Sequence, residues 1–215
     1  MNRIIKRKKI SGKIYCVVRV LDITDKDIFK ICKIVKDENH LSILSKLSTK
    51  LLTKLLIILL SEKNFFYVML EKEKIIGYII FSKKYEHLVN FFFAQKYRII
   101  LDLIKNIKLI EIIKLIVNFF IFKNKKKYRS LRVNSHLSFL AIAKKYQSKG
   151  LGKFFLNIST SDFIEKNNYK KIYVIASDQR TVNFYEKKVG FKYFYKFFEC
   201  GKIQKVLFKN FNLRS

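Results

Sequence analysis

The chain of 215 residues has no proline, no tryptophan and only 6 glycines. No stretch reads as a linker and no internal repeat is present, so the length suits one well-cored domain with an insertion. Acids are scarce too: 16 Asp+Glu face 46 Lys+Arg, a formal charge of +30. Such a field attracts polyanions. Arginine, however, the residue suited to bidentate phosphate or base contacts, is rare beside lysine. With Ile, Phe, Asn and Tyr abundant throughout, the lysines read as a compositional bias of the whole surface, and no specific nucleic-acid partner is expected.

Cysteine is equally sparse. Cys16, Cys32 and Cys200 are odd in number and lack CxxC or Cys/His ligand spacing, which argues against a disulfide framework and a zinc site. They read as reduced thiols of a cytoplasmic protein, and no metal is expected. The start, "MNRIIKRKKISGKIYCVV", is basic but has no long apolar run ending at a small-residue cleavage site, so a secretory signal is not expected.

What is present is an alternation of strand and helix patterns. Tyr15 to Leu21 is apolar and β-branched. It leads into a helix capped by Thr24 or Asp25, with Ile28, Ile31, Cys32 and Val35 on one face. Leu41 to Leu60 reads as a second helix. Phe65 to Leu70 and Ile75 to Phe81, around "EKEK", fit an antiparallel hairpin. From 84 to 131 the pattern turns helical and greasy, as an insertion closed by the run Lys123 to Lys127. Its most apolar part, Ile107 to Phe122, holds Lys108, Glu111 and Lys114 and is shorter than the ~20 residues of a bilayer crossing. A packed helix, a substrate lid and an interfacial membrane contact all fit it. Then come a strand (His136 to Ala143), a helix (Gly150 to Lys166), a strand (Lys171 to Ser177), a short helix (Thr181 to Val189) and two last β-rich runs (Phe191 to Phe198 and Gln204 to Phe211). The order predicts a mixed α/β (α+β) sheet, parallel where a helix crosses over.

Between the strand at 136 and the helix at 150 lies "KYQSKGLGKFF". Here Gln147, Ser148, Lys149, Gly150, Leu151, Gly152 and Lys153 sit at a helix N-terminus, with Leu151, Phe154, Phe155 and Ile158 at helical spacing. Unpaired N–H groups and the helix dipole favour an anion there, and glycine lets a phosphate approach the backbone. Neither GxxxxGK[ST] nor GxGxxG is present. What remains is a strand–QxxGxG–helix unit suited to a pyrophosphate.

This unit, with "NFYEKKVGF" from Asn183 to Phe191, resembles the GNAT superfamily of N-acetyltransferases. The family's [Q/R]xxGx[G/A] signature binds the pyrophosphate of acetyl-coenzyme A. The two motifs cover about residues 136 to 198. The resemblance implies a single GNAT domain over 1–215, with a central six- to seven-stranded sheet and the insertion between strands 3 and 4. It also implies acetyl-coenzyme A as co-substrate, with backbone N–H groups of Leu140, Ala141 and Ile142 binding the pantetheine arm. Tyr185 matches the tyrosine that protonates the leaving thiolate. Asp178 and Thr181 stand where relatives often have Asn and Ala. Asp178 is suited to capping the helix, but a carboxylate offers the pantetheine no donor.

His136 opens the fourth strand where many relatives place a glutamate. A histidine titrates near neutrality, so it is the candidate base for the substrate amine. By alternation it shares a face with Ser138, Leu140 and Ile142. His40 and His87 have no comparable context. For the acceptor, similarity to enzymes of surface-polysaccharide assembly suggests an amino sugar, nucleotide- or lipid-linked. A protein or peptide amine near RNA and a non-catalytic acetyl-coenzyme A-binding module stand as alternatives.

Overall fold

The computed structural model describes residues 3–10, 12–38, 43–61, 65–84, 94–106, 134–199 and 202–211. These residues fall into two compact units. The first comprises Met1–Phe81 with Phe139–Asn167, and the second Ser82–Ser138 with Asn168–Ser215.

In the first unit, β1 (Arg3–Ile10) runs antiparallel to β2 (Lys13–Val20), β2 to β3 (Phe65–Glu71), and β3 to β4 (Lys74–Lys84). The β3–β4 hairpin turns through Lys72 and Glu73, with Lys72 at φ 54°. The strand β1 is not foreshadowed in the sequence, because lysine and arginine fill it and no apolar alternation remains. Its ladder partner β2 organises it, and charge along an edge strand discourages further strand addition.

Helix α1 (Asp25–Glu38) opens on Thr24, whose Oγ1 accepts from Asp27 N–H at 3.2 Å, and it buries Ile28, Ile31, Cys32, Ile34 and Val35. The helix expected over 41–60 is broken into α2 (Ile43–Lys46) and α3 (Thr49–Ser61), with residues 41 and 42 outside the described residues. The cause is local: the Ser48 hydroxyl accepts from Leu51 N–H at 3.3 Å and starts a new helix.

After β5 (Asn134–Ile142), helix α5 (Leu151–Asn167) buries Leu151, Phe155, Leu156, Ser159, Thr160, Phe163 and Ile164. Its inner face is thus rotated from the expected one. Phe154 and Ile158 are only half-buried, and the Lys8 ammonium lies 5.2 Å from the Phe154 ring centroid. Phe163 stacks on Phe81 at 4.7 Å and meets Phe65 edge-on at 5.0 Å. Burying one such ring contributes roughly 1.5–3 kcal/mol. The second half of β5 closes on β4: Ala143 N–H donates to Ile76 O at 2.8 Å, and a Cβ on Gly77 would lie 2.9 Å from Ala141 O. Glycine at 77 permits this approach.

In the second unit, the first half of β5 pairs in parallel with β6 (Lys171–Ala176), His136 facing Tyr173 and Leu137 facing Val174. Strand β6 runs antiparallel to β8 (Lys202–Asn210), and β8 to β7 (Lys192–Glu199). Buried Val206 gathers Tyr173, Ile175, Tyr195 and Phe197 around it. Helix α4 (Lys96–Asn106) is the described part of the expected insertion. It buries Ile99 and Leu103 while Tyr97, Leu101 and Ile104 are exposed. The apolar run Ile107 to Phe122, the lysine run Lys123 to Lys127, His40, His87 and Cys200 lie outside the described residues. Among the described residues no helix is long and apolar enough to cross a membrane.

The strand order is β1-β2-β3-β4-β5-β6-β8-β7, a mixed sheet of 8 strands flanked by helices. This is the expected fold class with β1 added at the edge.

Candidate functional site

In the first unit, the chain leaves β5 at Ile142, makes one 3-10 turn over Lys144–Tyr146 and enters α5. The turn closes by Tyr146 N–H donating to Ala143 O at 2.8 Å and Gln147 N–H donating to Lys144 O at 3.1 Å. Ser148 and Gly150 then take left-handed backbone conformations, at φ 61° and 72°. The first bond of α5 is Phe154 N–H to Gly150 O at 3.1 Å. The N–H groups of Leu151, Gly152 and Lys153 thus precede the first intrahelical bond, where every helix leaves donors without an intrahelical partner. Ser148, Lys149, Gly150 and Lys153 are exposed, and a Cβ added at Gly150 would meet no heavy atom within 4 Å. Open space, first-turn donors and lysines fit a pyrophosphate.

Gln147 behaves differently from its expected role as a coenzyme A ligand. Its Nε2 donates to Ile142 O at 2.8 Å and to Glu38 Oε2 at 2.8 Å. An amide nitrogen has two hydrogens, and both are used. Its backbone N–H is used as well. Gln147 thus ties the loop to β5 and α1. Two carboxylates that sequence reasoning missed grip the same turn. Glu38 Oε1 accepts from Lys144 N–H at 2.5 Å, and Glu71 Oε2 accepts from Tyr146 Oη at 2.6 Å. The bonds from Lys13 and Tyr146 hold the Glu71 carboxyl below its ordinary pKa. Local patterning carries no trace of Glu38 here, because 106 residues separate it from Lys144.

The positions expected to face the pantetheine end β5, where Leu140 is half-buried and Ala141 and Ile142 are buried. His136 and Leu137 pair with β6, and Ala143, just past the end of the strand, donates its N–H to Ile76 O.

In the second unit, Asp178 caps α6 (Gln179–Asn183), its Oδ1 accepting from Thr181 N–H at 2.8 Å. The helix continues into a wider π-helical turn, Phe184–Val189, ended by Gly190 at φ 82°. Phe191 N–H reaches back to Tyr185 O at 2.9 Å, and Lys209 Nζ donates to Val189 O at 2.8 Å. The widening changes where Tyr185 projects relative to a regular helix, and such turns recur at functional sites. The Tyr185 ring is buried, edge-to-face against Phe184 and Phe191, each at 5.3 Å. Burial, and secondarily the Asp178 carboxylate, push its phenol above the ordinary pKa. The proton is therefore in place at neutral pH.

His136 is also buried, with Nδ1 3.2 Å from Ser138 Oγ, which in turn donates to Ser82 Oγ at 2.8 Å. The adjacent Ser135, at φ 66°, donates its hydroxyl to Lys171 O. Burial pulls the His136 pKa down to about 3. An imidazole that stays neutral to such acidity is a weak proton acceptor, contrary to the role expected of it. Among the described residues no group of three or more His, Cys, Asp or Glu could hold a metal.

Residues 124–203 match the family model described as "Acetyltransferase (GNAT) domain". No curated protein matches the chain. Solved structures with a similar fold include a protein assigned to the GNAT family from Desulfovibrio desulfuricans (12% identity, 91% of this chain and 98% of that one, TM-score 0.57). Another is the ribosomal-protein-S5-alanine acetyltransferase of Vibrio fischeri (14%, 95% and 96%, TM-score 0.52). A third is the PaiA N-acetyltransferase of Thermoplasma acidophilum, in complex with coenzyme A (12%, 92% and 99%, TM-score 0.54). At these identities the structures share the fold, and the family model speaks to the segment that holds both motifs. Over residues 124–203, the segment that holds both motifs, the chain is similar to GNAT acetyltransferase domains, and that match supports an acyltransferase with acetyl-coenzyme A as co-substrate.

Proposed function

We propose that the whole chain is a single acetyltransferase domain, with an insertion over 84–131, that acetylates a primary amine by direct attack within a ternary complex. Acetyl-coenzyme A supplies the activated acetyl thioester. The first-turn N–H groups of Leu151, Gly152 and Lys153, with Lys149 and Lys153, bind its pyrophosphate. Backbone groups of Leu140 to Ile142 orient the pantetheine arm. Tyr185 Oη gives its proton to the sulfur as the C–S bond breaks and the C–N bond forms. A phenol above its ordinary pKa makes full transfer uphill, so the proton moves together with bond breaking. His136 is assigned to the buried hydrogen-bonded group with Ser138 and Ser82, and the amine's proton is given to solvent. Asp178 is assigned to capping α6 next to Tyr185.

For the acceptor, the observation that carries the reading is the charge: 46 Lys+Arg against 16 Asp+Glu. A positive field raises the local concentration of anionic substrates and lowers that of cationic peptides. An amino sugar carried on a phosphate or diphosphate suits it. A ribosomal-protein amine is the second reading, supported by the name of the Vibrio fischeri relative and by attraction of the chain to RNA. The test is thioester consumption with a panel of nucleotide-linked amino sugars, basic N-terminal peptides and polyamines. Turnover with the sugars and not the peptides is expected, and the reverse overturns the acceptor. Failure of acetyl-coenzyme A to bind in calorimetry overturns the whole reading.

A further inference from the structure

We propose that Glu38, the last residue of α1, is a positioning residue for the phosphate loop, an inference that rests on reading that loop as the coenzyme A pyrophosphate site. A carboxylate is badly placed there on general grounds. The C-terminal end of a helix carries negative partial charge, and the loop beside it receives an anion. Coulomb repulsion from both sides disfavours a glutamate.

Two charge-assisted hydrogen bonds to one short segment offset that cost. Lys144 N–H donates to Oε1 at 2.5 Å, and Gln147 Nε2 donates to Oε2 at 2.8 Å. Gln147 uses its other amide hydrogen on Ile142 O at 2.8 Å, so the end of β5, the turn and α1 are joined through one side chain. The left-handed residues Ser148 and Gly150 follow at once, and the first-turn donors of α5 begin at Leu151. A displaced Gln147 therefore moves the donors meant for the phosphates. Glu71 holds the Tyr146 end of the same turn and is itself paired to Lys13 at 2.8 Å. Glu38 holds the Gln147 end. The lysines of the loop attract the anion, while Glu38 sets the backbone that binds it.

The sign of one measurement separates this from a bystander charge. If Glu38 were only a nearby negative charge, removing it would tighten coenzyme A binding. As a positioning residue, its removal weakens binding. The experiment is calorimetric titration of coenzyme A into the full chain for wild type, Glu38→Gln, Glu38→Ala, Gln147→Ala and the Glu38→Ala/Gln147→Ala double variant, with melting temperatures alongside. Glu38→Gln keeps the size and one acceptor but sets an amide against a donor, so it tests the tie even if Glu38→Ala fails to fold. The expected result is a Kd raised at least tenfold in both Glu38 variants. The double variant is expected within about twofold of the worse single variant, because the two side chains belong to one bonded arrangement that either loss disrupts. With an accepted amine, KM for acetyl-coenzyme A rises while kcat holds. An unchanged or lower Kd in Glu38→Gln overturns the inference, as do additive effects in the double variant. If wild type itself does not bind coenzyme A, the reading of the loop fails, and that outcome is distinct from the others.

Discussion

The loop ahead of α5 and the turn that carries Tyr185 use their side chains in opposite ways. In the loop, Gln147, Glu38, Glu71 and Tyr146 bond to one another or to the main chain, and the exposed side chains are Ser148 and the lysines. In the turn, the main chain is wound into a π-helical segment and aromatic rings enclose one phenol. Binding an anion needs many weak donors in fixed places, whereas moving a proton needs one group with a controlled environment. The two regions should therefore fail differently. Tyr185→Phe keeps the rings packed and removes only the hydroxyl. It should cut turnover by about 100-fold, at the low end for a lost general acid, while the Kd for coenzyme A stays within about twofold. Steady-state thioester consumption with parallel calorimetry checks this. Unchanged turnover would remove Tyr185 from the chemistry and leave it as packing.

His136 sharpens the comparison, because burial acts on it as on Tyr185 but with the opposite chemical result. Burial favours the neutral form of each. A tyrosine then keeps its proton and a histidine refuses one. With a folded pKa of about 3 against an unfolded value near 6.5, the unfolded chain binds an extra proton between those limits. Stability therefore falls as pH drops from about 6.5 toward 3, by about 1.4 kcal/mol per unit once developed, or roughly 2 kcal/mol at pH 5. Melting temperature measured from pH 7.5 to 4 should fall in wild type. It should be flatter over that range in His136→Asn, which has no titrating group. An equal slope in the two proteins would mean that His136 is not held neutral.

The parts of the molecule that rest on local pattern were legible in the sequence. The face of α1 carrying Ile28, Ile31, Cys32 and Val35 follows from helical period, and the β5–loop–α5 junction from an apolar strand meeting glycines. Strand β1 was not legible, because a lysine-rich segment has no apolar period and pairs only because β2 offers it a ladder. The π-helical turn was not legible either, since Val182, Tyr185 and Val189 are compatible with an ordinary helix in one dimension. The loop's ties were the least visible. Glu38 and Glu71 meet it from 106 and 75 residues away, and no window of sequence joins them. Gln147 stands in the motif by sequence, but its side chain is committed to Glu38 and Ile142 O.

The smallest effects are expected within the loop itself, where its two glycines should respond in opposite directions. Gly150 sits at φ 72° with open space around it, so Gly150→Ala introduces backbone strain without a clash. A left-handed conformation costs a residue with a side chain about 1–2 kcal/mol, and stability should fall by that order. Gly152 lies inside the first turn of α5, where alanine is the better helix former by about 1 kcal/mol, so Gly152→Ala should raise the melting temperature. If the pyrophosphate rests on the backbone there, the same methyl group stands in its way. Calorimetry should then show a severalfold weaker affinity for coenzyme A in a more stable protein. A Gly152→Ala variant that gains stability and keeps full affinity would move the phosphate contact off the first turn of α5. The loop would then be a helix start, with its anion bound elsewhere.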